Sequence, residues 1–141
     1  MVRRLKKNRR GLATVEAALV FPLLLLLTLG GIRYGWLFLK AQYITNAARM
    51  GARTAVCPDA TPASVLAAIN ALMTAGGMGA SGYSVTMTPA DISSLEVGDP
   101  LTVRITVLGA NIDIMHVPLF TKLDPANWNL GASVTMAKEG F

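Results

Sequence analysis

Glu16 is the one charged side chain in the run of 21 residues from Leu12 to Ile32. An ionised carboxylate is costly in an apolar surround. It needs either a partner that neutralises it or a short path along which it can reach water. Gly11 stands five residues before it, giving the spacing Gly-x4-Glu. Arg3, Arg4, Lys6, Lys7, Arg9 and Arg10 crowd the residues ahead of that glycine. Gly11, Leu12 and Glu16 are therefore the residues whose types and spacing most suggest a task.

Other chemistry finds little support. His116 is the sole histidine and Cys57 the sole cysteine, and they lie far apart in sequence. A lone histidine between Met115 and Val117 reads as a packing or surface residue, and a lone cysteine excludes an internal disulfide. Asp91, Asp99, Asp113 and Asp124 lack the spacing of a calcium loop. The glycines from Gly76 to Gly82 are not followed by the Lys-Ser/Thr and helix of a phosphate-binding loop. No catalytic residue, metal site or cofactor is expected, so the chain does not read as an enzyme.

The position of Glu16 depends on the element that carries it. As a helix, 21 residues span about 31 Å, close to the hydrocarbon thickness of a bilayer. Leu23 to Leu27 are consecutive leucines, and nothing in the run alternates as a strand would. Glu16 then sits about 6 Å inside the apolar segment. Pro22 lacks the N–H that would meet the carbonyl of Ala18, so it should loosen or bend the helix there. A secretory signal is the nearest competitor, but the run is long for one, and Thr28 to Tyr34 offers no clean small-x-small cleavage site. The net charge of +5 comes from the leader; from Leu12 onward seven basic residues face eight acidic ones. This concentration points to a bilayer rather than nucleic acid as the partner. The same bias predicts a cytoplasmic N-terminus and a single pass through a bacterial inner membrane, with the remainder in the periplasm.

Arg9-Arg10-Gly11-Leu12-Ala13-Thr14-Val15-Glu16, opening an apolar helix, resembles the prepilin-type signal of type IV pilins and pseudopilins. Residues 15–24, Val-Glu-Ala-Ala-Leu-Val-Phe-Pro-Leu-Leu, narrow the resemblance to TadE-like proteins, the pseudopilins of the tight-adherence (Tad) pilus. Gln42, Asn46 to Arg49, Ala52-Arg53 and the tail Ser133 to Met136 before Glu139 also look similar. Ala17 departs from the pattern, because many Tad prepilins carry an aromatic there. The resemblance implies cleavage after Gly11 by a membrane prepilin peptidase, with Leu12 becoming the first mature residue and Glu16 the fifth. It implies other pilins or pseudopilins and pilus assembly proteins as partners. A carboxylate so placed can neutralise the new amine of a neighbouring subunit, offsetting the burial of both charges.

The expected organisation is a leader at 1–11, a transmembrane helix at 12–32, its extension at 33–56 and a periplasmic α+β head at 57–141. Ala47, Ala48, Gly51, Ala52 and Ala55 recur at helical spacing and give the extension a face of small residues, suited to packing on the protein's own sheet or on another subunit. Arg49 and Arg53 lie one turn apart, as a solvated or acid-paired edge or a contact for a partner. Cys57-Pro58 ends the helix. Thr61-Pro62 is an N-cap with proline at the first helical position, opening a short helix to about Ala75 that Gly76 to Gly79 terminates. Residues 83–88, 101–107 and 130–137 alternate as strands, and their apolar face needs the 33–56 helix as cover. Asn111 to Trp128 is expected to be irregular. The result is a long N-terminal transmembrane helix running into a small pilin-like head with a three-stranded antiparallel sheet and a short second helix. Two other functions fit the sequence: an unprocessed single-pass anchor for a periplasmic binding or envelope-assembly domain, and a secreted domain freed near Arg33.

Overall fold

The computed structural model describes residues 9–114 and 128–140. Helix α1 spans Arg9–Val56 and helix α2 Pro62–Ala75. Strands β1 (Ser84–Thr88), β2 (Pro100–Leu108) and β3 (Asn129–Ala137) form one antiparallel sheet in the order β1-β2-β3. The α+β class expected from the sequence is the class observed. A 3-10 turn at Gly109–Asn111 opens the stretch expected to be irregular. The rest of that stretch, with His116, Pro118 and Pro125, falls mostly outside the described residues.

The chain divides into two units, Met1–Tyr34 and Gly35–Phe141. In the first, α1 passes through Pro22 without interruption. Leu19, Phe21, Leu23 and Leu27 are each more than 60% exposed. An apolar helix with this much bare surface requires an apolar environment from outside the chain. It is long and apolar enough to cross a membrane, with a mean hydropathy of 2.2. One such helix near the N-terminus is consistent with a single-pass anchor.

The second unit is built on the small-residue face of α1. Ala47, Ala48, Ala52 and Ala55 are fully buried, joined by Ile44 and Val56, and they pack with Val65, Ile69 and Met73 of α2 and Leu101, Val103, Ile105 and Val107 of β2. Of the two uses open to that face, packing within the chain is the one observed. Burial of side chains such as Ile44 and Ile69 contributes roughly 1.5–3 kcal/mol each. The period-2 pattern of β2 explains its central place, because every inward residue is buried. Val103 lies between Met87 and Val134, and Ile105 between Val85 and Ala132. The other face carries hydroxyl pairs, Ser84 with Thr106 at 2.6 Å and Thr102 with Thr135 at 2.8 Å.

Local signals set the ends of α2. Thr61 and Ser64 form a reciprocal capping box, and Pro62 occupies the first turn, where its missing N–H is not needed. At the other end Gly77 adopts φ +68°, and the N–H groups of Met78 and Gly77 return to the carbonyls of Met73 and Thr74. This is a Schellman closure, and glycine takes its left-handed position without a Cβ penalty.

Candidate functional site

Gly11 lies in the first turn of α1, which begins at Arg9, ahead of the start expected at Leu12. It is exposed, and a Cβ built on it meets nothing within 4 Å. Glu16 is also exposed, on the same helix with Val15 and Leu19 around it. Among the described residues it makes no hydrogen bond or ion pair. The structure thus places Gly11, Leu12 and Glu16 on one apolar helix, with Leu12 and Glu16 one turn apart, and leaves the carboxylate open to a group from another molecule.

The remaining polar features of the head are structural in their geometry. Lys40 is buried; its Nζ donates to the Gly76 carbonyl at 2.6 Å and lies 4.5 Å from the centroid of the Trp36 ring. Trp36 Nε1 donates to the Ile112 carbonyl at 2.9 Å. An ammonium at the C-terminal end of α2 also meets the negative end of that helix. Nothing in the charge pattern alone singles out Lys40. The four-residue spacing of Trp36 and Lys40 on a helix was the available signal.

Cys57 is exposed and free, with its Sγ donating to the Arg53 carbonyl at 3.3 Å. Lys138 Nζ donates to the Cys57 carbonyl at 2.8 Å, and Glu139 N–H to that of Val56 at 3.0 Å, so the end of α1 is tied to the chain beyond β3. Asp91 accepts from the Ser93 hydroxyl at 2.6 Å and the Ser93 N–H at 3.0 Å. These bonds, the hydroxyl first, hold its carboxyl below the ordinary carboxylate range. No group of histidine, cysteine and acidic residues suited to hold a metal occurs among the described residues.

Arg49 and Arg53 are exposed on α1 and have no acidic partner among the described residues. They edge a groove of about 420 Å³, shared by Asn46 and Met50 of α1, Leu72 of α2, and Val134 and Met136 of β3.

The described residues thus form a long apolar helix with one carboxylate near its start, consistent with a single-pass anchor, followed by a small α+β head. The profile of the TadE family (TadE-like protein) matches residues 11–53, so the chain is TadE-like over that segment. The match implies a protein associated with the Tad pilus, and proteins of this family are generally non-enzymatic. It ends at Arg53, so the likeness read at Ser133 to Met136 and Glu139 lies outside it. No curated protein and no solved structure matches the chain.

Proposed function

We propose that this protein is a minor pilin or pseudopilin of the Tad (type IVc) pilus, processed by a prepilin peptidase after Gly11. In this reading residues 1–11 are a cytoplasmic leader, 12–32 span the inner membrane, 33–56 extend that helix and 57–141 form the periplasmic head. The observation that carries it is the Gly11/Glu16 pair at the start of an exposed apolar helix, in a segment whose family match opens at Gly11. Glycine is among the weakest helix formers, by roughly 1 kcal/mol against alanine. The first turn of α1 is therefore where the chain opens most cheaply into a protease cleft. Cleavage leaves a cationic amine on Leu12. Glu16 of a neighbouring subunit neutralises that amine, so both charges enter the apolar core of the assembly as a pair.

Intact-mass measurement of the membrane-extracted protein, from a host with its own prepilin peptidase, tests the cut. The expected species lacks residues 1–11. A full-length species would leave an unprocessed anchor in its place. Glu16→Gln should be processed normally but fail to join pili, read by pilus shear fractions and immunoblot; normal incorporation would remove the charge-pairing role.

A further inference from the structure

The arginine-edged groove of the head has a counterpart elsewhere on the same unit. Val97 is 72% exposed, next to the exposed Glu96. The turn that presents them is closed from within. Glu96 N–H donates to Asp99 Oδ2 at 2.9 Å and Asp99 N–H to the Glu96 carbonyl at 3.1 Å. Gly98, at φ +96°, donates to the Lys138 carbonyl at 2.9 Å, and Lys138 N–H donates to that of Asp99 at 2.9 Å. A carboxylate and an apolar knob are thus held out on a fixed turn, and a fixed presentation lowers the ordering cost of binding.

The groove offers the complement. Its apolar lining is Met50, Leu72, Val134 and Met136, with Met50 47% exposed. Arg49 and Arg53 stand one helical turn apart, an arrangement in which like charges repel until an anion comes between them. Neither has an acidic partner among the described residues. The cleft beside Val97, lined also by Ile92, Leu95 and Glu139, shares no residue with the groove, so both faces are free at once.

We propose that the groove receives the Glu96–Val97 turn of a second copy of this chain. Val97 enters between Met50 and Met136, and the Glu96 carboxylate takes charge-assisted hydrogen bonds from Arg49 and Arg53. The two faces differ, so the contact is heterologous: each copy that donates its turn still offers its groove, and copies add in series rather than closing as a pair. The inference rests on the proposed assembly role only in that copies must meet in one membrane.

Two differently tagged full-length copies, both Cys57→Ser, are co-expressed, one with Asn46→Cys at the groove and the other with Val97→Cys. Oxidation of isolated membranes should give a disulfide-linked band carrying both tags, well above that of a control pair in which Ser133→Cys replaces Asn46→Cys. Arg49→Glu with Arg53→Glu on the groove copy should reduce the band at least tenfold, and Glu96→Arg on the turn copy should restore it. No band above the control, a band indifferent to the charge reversal, or a reversal not rescued by Glu96→Arg would each overturn the proposal. So would cross-linking of the groove cysteine to a different protein instead. Intact mass on the same membranes reads leader removal separately: a cut chain without the link overturns this contact alone, and an uncut chain with it overturns processing alone.

Discussion

Replacing Gly51 by alanine sets two opposed effects of similar size against each other. Gly51 is buried inside α1, and alanine should gain about 1 kcal/mol there from helix propensity. A Cβ at this position, however, would lie 2.6 Å from Ile69 Cδ1, 2.7 Å from Ile69 Cγ1 and 3.5 Å from Val103 Cγ1. Ile69 is fully buried and branched at Cβ, so its side chain has few rotamers into which to retreat. Overpacking of this kind costs roughly 1–3 kcal/mol. The packing effect should therefore win, with a net loss on the order of 1 kcal/mol and a fall in the head's melting midpoint of about 4–8 °C. The assay is thermal unfolding of the detergent-solubilised chain, followed by near-ultraviolet circular dichroism. A double-mutant cycle with Ile69→Ala isolates the cause. That substitution costs about 2–5 kcal/mol by itself, but it removes the two Ile69 atoms that crowd the new Cβ and leaves only the ordinary contact with Val103. In its background Gly51→Ala should stabilise, giving a coupling of roughly 1–3 kcal/mol. Stabilisation by Gly51→Ala in the otherwise unaltered chain, or the same loss in both backgrounds, would refute the reasoning.

Two further perturbations probe the head. Lys40→Met keeps the length of the side chain but leaves the buried Gly76 carbonyl without its donor, at a cost of about 1–3 kcal/mol; the melting midpoint should drop and amide exchange at the end of α2 should quicken, and unchanged exchange there would sink the assigned role. Asp91 has its folded pKa held down by Ser93, so it contributes stability above the ordinary carboxylate range and loses it as pH falls through its depressed folded value. Asp91→Asn should therefore flatten the acid side of the melting-point profile, and an unaltered acid side would show that the Ser93 bonds contribute nothing.

Much of the fold was legible because it rests on local periodicity. The capping residues of α2, the alternation of Leu101 to Val107 and the small-residue face of α1 are each set by neighbours a few positions away, and the strands appear within a residue of the ends read from sequence. The Gly11/Glu16 spacing is likewise a local fact. What could not be read is whatever joins distant segments. Lys40 reaches Gly76 across 36 positions, Trp36 reaches Ile112 across 76, and Lys138 reaches the Cys57 carbonyl across 81.

The sequence by itself determined that one long apolar helix would carry a single carboxylate near its start, because hydropathy and charge act residue by residue. It left the small-residue face of α1 with two possible partners, and only the tertiary structure decided between them. Ile69 and Val103 approach Gly51 so closely that no other chain has room there. Burying that face leaves Arg49 and Arg53 outward beside Met50 and β3. The groove is a product of how α1, α2 and the sheet pack, and no spacing along the chain encodes it.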